Sequence, residues 1–177
     1  MAKRLKLNIG DIFTIPLSNN EVGFGQIISF PISKDQFIMV CFELKENKVG
    51  KYEVKKIIES PIIFLGYTVD ALLYHNRWEI IGNYTNNIED YVLPYHKIGI
   101  PPSDAFMTDY KGNKVAKISG EVFEQLGFET GVGPIRFQNA LKAHFGLQDW
   151  IEEDYNKILY SETLKSVEIA KLMVLAR

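Results

Sequence analysis

Val22-Gly23-Phe24-Gly25-Gln26-Ile27-Ile28-Ser29-Phe30, followed after a short turn by Gln36-Phe37-Ile38-Met39-Val40-Cys41-Phe42-Glu43-Leu44, decides the fold. The first segment alternates with period two, placing Val22, Phe24, Gln26, Ile28 and Phe30 on one strand face. Its other face opens with Gly23 and Gly25. Paired glycines on one face predict a sharp bend or a close approach of other groups to the backbone, as at the corner of a small barrel. The second segment is apolar almost without interruption, which predicts a central strand buried on both sides.

Working outward, Phe13 to Leu17 has apolar odd positions and ends in the polar turn Ser18-Asn19-Asn20-Glu21. Downstream, residues 45–51 read as a charged loop and 52–60 as one short amphipathic turn. Residues 61–69 form a strong strand pattern, and residues 78–82 a shorter one ended by Asn83. Residues 94–102 read as irregular. Residues 106–110 and 114–118 form a hairpin through Lys111-Gly112-Asn113, because Gly and Asn tolerate positive φ. Gly133-Pro134 opens a helix that Gly146 closes, since proline is accepted in a first helical turn. After Gln148 the pattern is helical to the end, with Ile169, Leu172, Met173 and Ala176 at helical spacing and Val167, Val174 and Leu175 filling the other sides. Such a helix is buried or covered by a partner, a second copy of the chain included. The expected fold is α+β: a strongly bent antiparallel sheet or small SH3-like barrel, followed by C-terminal helices. Residues 1–146 form a β-rich domain, and residues 147–177 a helical extension packed on it.

The chain has 177 residues, 46% hydrophobic and 24% charged, with 20 basic and 22 acidic side chains and a net charge of -2. That balance argues against a protein living on nucleic-acid phosphates. One cysteine, Cys41, excludes an internal disulfide framework and fits a reducing, cytoplasmic setting. No run of about 18 apolar residues predicts a membrane span. The three histidines, His75, His96 and His144, fall in three different predicted elements without metal-ligand spacing. Gly23-Phe24-Gly25 lacks the third glycine and following helix of a dinucleotide loop, and there is no Gly-x-Ser-x-Gly nucleophile elbow. Cys41 sits inside the most apolar strand, where an inert thiol is expected. The expectation is therefore a non-enzymatic protein with no cofactor, no metal and no catalytic group.

Charge is uneven along the chain. Residues 1–60 carry +2, residues 61–110 carry -4, and residues 111–177 carry nine charges of each sign. The acidic middle also holds Tyr67, Tyr74, Trp78, Tyr84, Tyr91 and Tyr95. Aromatics serve core packing, base stacking or protein interfaces. Stacking on nucleic acid calls for interleaved Lys and Arg, and this stretch is acidic, so a protein interface is the better functional reading. Trp78 and the Gly23/Gly25 pair read as structural. The candidate partner-binding residues are Tyr74, Glu79, Tyr84, Glu89, Asp90 and Tyr91. A second acidic knot, Asp149, Glu152, Glu153 and Asp154, reads either as a helix N-terminal turn favoured by the helix dipole or as a second contact patch.

Two stretches carry a family resemblance. Gly10-Asp11-Ile12-Phe13-Thr14-Ile15-Pro16-Leu17 with Val22-Gly23-Phe24-Gly25-Gln26-Ile27 resembles the opening of the immunity protein 26 family of bacterial polymorphic-toxin systems. Ser60-Pro61-Ile62-Ile63-Phe64 with Asn76-Arg77-Trp78-Glu79-Ile80-Ile81-Gly82-Asn83 is similar to its second block. The resemblance spans residues 4–146, and the tail from Leu147 departs from it. It implies a bacterial, cytoplasmic immunity protein that binds and neutralises a cognate toxin, often a nuclease, by occlusion. The alternative class is a small-barrel adaptor or RNA-associated regulatory module, which requires a basic groove beside exposed aromatics. Beyond the toxin, the expected partners include a second copy through the C-terminal helix, with neither membrane nor nucleic acid.

Overall fold

The computed structural model describes residues 6–33 and 35–175, the side chains of Ile32, Val174 and Leu175 excepted. The chain groups into two compact units, residues 1–89 with 131–159, and residues 90–130 with 160–177.

The first unit holds β1 (Asp11–Pro16), β2 (Glu21–Ser33), β3 (Gln36–Asn47), β4 (Ile62–Val69) and β5 (Glu79–Asn83). They form one antiparallel sheet in the order β4-β3-β2-β1-β5. The sheet does not close, so of the two expected forms the bent sheet holds and the barrel does not. Curvature comes from register shifts along β2 and β3, the first of them between Gly23 and Gly25. A side chain is excluded at Gly25, where a Cβ would stand 2.6 Å from the Phe13 ring. A second shift, between Ile27 and Ser29, moves Phe30 off the face that strict alternation predicts; it packs edge-on against Phe37 at 6.2 Å.

β3 is central, and Phe37 to Phe42 are all buried, as a two-sided apolar run requires. Phe37, Met39 and Cys41 join Phe13, Ile15, Ile27 and Phe64 in the main core, closed by Phe137, Ala140 and Leu141 of a helix at Pro134–His144. Ile38, Val40 and Phe42 alternate to the other face. There Phe24 meets Tyr52 edge-on at 5.2 Å, beside α1 (Val54–Ile58). β3 runs on to Asn47, so the first half of the expected charged loop is strand; Lys45 pairs with Glu21 of β2 at 2.8 Å. Trp78 lies between α2 (Ala71–Tyr74) and β5. Its buried ring stacks on Phe13 at 5.2 Å, with Nε1 donating to Gln138 Oε1 at 3.1 Å.

The second unit pairs β6 (His96–Ile100), β7 (Asp104–Thr108) and β8 (Lys114–Lys117) in sequence order. The hairpin of β7 and β8 is as expected. Asp109 caps its turn, with Oδ1 accepting from the backbone N–H groups of Lys111 and Asn113. β6 replaces the irregular stretch expected at 94–102: its ladder to β7 is completed by Gly99 at φ 87°, where a Cβ would lie 1.6 Å from the Asp104 carbonyl oxygen. A helix absent from the sequence reading, α3 (Gly120–Gln125), begins at Ser119, whose Oγ accepts from Val122 N–H. In chain order α4 is Pro134–His144, α5 is Glu152–Tyr155 and α6 is Tyr160–Leu175. The helical stretch after Gln148 is thus broken, with a 3-10 turn at Asn156–Ile158 between α5 and α6. α6 buries Thr163, Ser166 and Ala170; of the predicted stripe, Ile169 and Met173 pack half-buried against the same core, while Leu172 is 68% exposed. Ala176 lies outside the described residues. No described helix is long and apolar enough to cross a membrane.

Candidate functional site

Four of the six candidate residues belong to the first unit. Tyr74 ends α2, is exposed and meets His75 edge-on at 5.1 Å. Glu79 opens β5 as an exposed residue opposite Thr14 of β1. Tyr84 follows β5 and is half-buried, and Glu89 is exposed in a 3-10 turn at Ile88–Asp90. Tyr74 thus precedes the five-residue strand β5, on α2, and Tyr84 follows it. Asp90, exposed, and Tyr91, half-buried, belong to the second unit. Of the neighbouring aromatics, Trp78 and Tyr67 are core residues.

β5 is the edge strand beyond β1, and the segment after it is held by polar contacts that sequence reasoning missed. Asn83 Nδ2 donates to Asp11 Oδ1 at 2.8 Å and to the Ile9 carbonyl at 2.9 Å. Tyr84 N–H donates to the Gly10 carbonyl at 2.9 Å. Gly10, at φ 89°, leaves no room for a Cβ beside the Tyr84 carbonyl. Gln26, fully buried on β2, donates from Nε2 to the Tyr84 carbonyl at 2.7 Å and to Asn87 Oδ1 at 3.2 Å; Asn87 Nδ2 donates back to Gln26 Oε1 at 2.9 Å. The signal was present: Gln26 is the lone polar residue on the apolar face of its strand, and a buried amide demands partners.

The Tyr52 hydroxyl donates to the Lys48 carbonyl at 2.8 Å, and its pKa is raised by burial first and then by the negative charges of Glu79 and Glu46. Lys56 pairs with Glu46, leaving Glu79 as the acidic group that β5 itself offers. The second acidic knot is accompanied by three large apolar side chains. Leu147, Trp150 and Ile151 are all exposed, Trp150 stacks on Phe64 at 6.2 Å, and its Nε1 donates to Asn156 Oδ1 at 3.0 Å. Asp154 pairs with Arg136 at 3.1 Å. Among the described residues no group of three or more His, Cys, Asp or Glu side chains is placed to hold a metal ion. His144 faces Glu43 at 3.1 Å across the first unit, and burial raises the pKa of the Cys41 thiol well above its ordinary value.

A model of the family described as immunity protein 26 matches residues 8–102, more than half of the chain. The chain belongs to the immunity protein 26 family. The matched span contains the whole five-stranded sheet and all six candidate residues, and ends before the β7–β8 hairpin and α4, so it is shorter than the 4–146 span of the sequence resemblance. No curated protein and no solved structure matches the chain. Membership in an immunity family implies a toxin as the partner.

Proposed function

We propose that this chain neutralises a cognate toxin by binding and occluding it, without chemistry of its own, through the acidic surface that β5 and the segment after it present. The observation that carries this reading is the pairing of exposed carboxylates at Glu79 and Glu89 with a segment clamped from below by Gln26 and Asn83. A rigid surface loses little conformational entropy on docking. Exposed carboxylates speed the approach of a basic partner, and a nuclease, which must bind phosphates, is such a partner. The half-buried Tyr84 supplies an aromatic body next to those charges, the kind of residue on which interface energy concentrates. Tyr74, Asp90 and Tyr91 are the further candidate contacts, and the Asp149–Asp154 knot is proposed as a second, separate patch.

The gene neighbourhood tests the class: a neighbouring open reading frame encoding a large secreted protein with a variable C-terminal toxin domain is expected. Interface placement is tested with that toxin domain as the probe. Reversing Glu89 and Asp90 to Lys should slow association by about tenfold or more at low salt, with the difference shrinking at high salt. An unchanged on-rate at low salt, with full protection of cells, would remove this segment from the mechanism.

A further inference from the structure

α6 has two different faces. Thr163, Ser166 and Ala170 are buried in its own unit, where the Ser166 hydroxyl accepts from Tyr95 N–H at 3.0 Å and donates to the Thr163 carbonyl at 2.8 Å. The opposite face carries Ser161, Lys165, Glu168 and Leu172, spaced by four, three and four residues. That is the spacing of the seam in a helix pair. Along this face runs a groove of about 620 Å³ lined by Ser161, Leu164, Lys165 and Ile169 and by the carboxylates Glu162 and Glu168, with Gln125 of α3 beside them. Leu172 stands one turn beyond the groove as a knob, 68% exposed, and Leu164 is 43% exposed.

We infer that α6 is a self-association helix, on which two copies of this chain pair antiparallel about a two-fold axis passing between Ser166 and Val167. In that register Leu172 of each copy falls opposite Ser161 of the other, so each knob enters the other's groove. Lys165 falls opposite Glu168 of the second copy, and the symmetry repeats the pair. A two-fold contact requires a patch complementary to itself, and this seam meets the requirement in both shape and charge.

The charge pattern selects the occupant. Glu162, Lys165, Glu168 and Lys171 alternate in sign and sum to zero, which steers neither a strongly basic nor a strongly acidic partner, whereas a reversed copy of the same helix meets opposite charges at its centre. Lys165 already pairs with Glu162 along the helix, but an exposed pair three residues apart holds it weakly and yields to a partner. The inference concerns the second unit alone and stands or falls independently of the toxin reading.

Sedimentation velocity and light scattering on the full chain, over a concentration series reaching about 0.5 mM so that even weak association registers, provide the test. A concentration-dependent dimer is expected. Lys165→Glu and Glu168→Lys, each placing two like-charged pairs at the centre, should each weaken dimerisation by about tenfold or more. The double variant Lys165→Glu/Glu168→Lys should restore it. All of these positions are exposed, and a thermal melt by circular dichroism confirms that each variant folds. A chain that stays monomeric over the whole series overturns the inference. So does a dimer indifferent to the single reversals, or one that the double reversal fails to restore.

Discussion

Trp78 and Gly25 show how one residue earns its identity from the space around it. Trp78 is 1% exposed, stacked on Phe13 and tied through its indole N–H to Gln138. Truncation to alanine removes the ring, opens a cavity and orphans the Gln138 oxygen, so Trp78→Ala should destabilise by about 3–5 kcal/mol in urea unfolding. A variant that kept wild-type stability while losing partner binding would make Trp78 a surface anchor instead. Gly25 is the converse case, a place where anything larger than hydrogen collides. Because an added methyl would meet the Phe13 ring at 2.6 Å and the Met39 methyl at 3.1 Å, Gly25→Ala should cost about 1–3 kcal/mol through displaced core rings. Gly112, with nothing within 4 Å of a built Cβ, carries no such steric penalty; only its φ of 80° resists substitution.

At the scale of elements, the edge strand β5 and the segment after it depend on a side chain from the middle of β2. Gln26 satisfies the Tyr84 carbonyl and the Asn87 side chain together, and the glycine at position 10 lets the backbones approach closely enough for it to do so. Replacing Gln26 with the nearly isosteric Leu removes its hydrogen bonds to the Tyr84 carbonyl and the Asn87 side chain without emptying the core. Gln26→Leu should therefore cost about 1–3 kcal/mol and accelerate amide hydrogen exchange over residues 84–89 ahead of the remaining sheet. Uniformly slowed or unchanged exchange there would show that the clamp does not order the segment. Under the toxin reading the same variant also speeds dissociation of the partner, since a loosened surface must be ordered on binding.

For the molecule as a whole, pH is the lever. His96 lies half-buried in β6, and burial lowers its pKa from 6.5 to about 4. The unfolded chain binds this proton near pH 6.5 and the folded chain does not until about pH 4, so between those values unfolding takes up a proton and is favoured by acid. This contribution to stability is whole above pH 6.5, is lost progressively as pH falls toward 4, and changes no further below that. The midpoint of urea unfolding should drop between about pH 7 and pH 5, and His96→Gln should flatten that slope. An equal slope in the variant would assign the acid sensitivity to other groups. The proposed toxin contact carries its own dependence on conditions, through salt rather than protons, because Glu79 and Glu89 are exposed carboxylates.

Local pattern determined the strands of the first unit, the burial of Trp78 and Cys41, the turn chemistry of the 109–113 hairpin and the Pro134 start of α4, because each rests on alternation, on a dihedral preference or on an uninterrupted apolar run that neighbours in sequence suffice to set. The family blocks were legible for the same reason: the bend at Gly23 and Gly25 and the Trp78 anchor leave their mark in residue identity. Tertiary structure alone decided the rest. β6 exists because β7 supplies its hydrogen bonds, and no periodicity in residues 96–100 encodes that pairing. The inward face of α6 joins the small residues Thr163, Ser166 and Ala170 to Ile169 and Met173, and close packing against the neighbouring elements, which helical spacing cannot read, leaves Leu172 outside. Whether the sheet closes depends on strand pairing between distant segments, and the order β4-β3-β2-β1-β5 leaves both edges unjoined to each other. The candidate surface was half legible. Its acids and tyrosines could be read from composition, but the support of the segment after β5 by Gln26 arises from contacts about sixty residues apart in the chain, where a linear pattern has no reach.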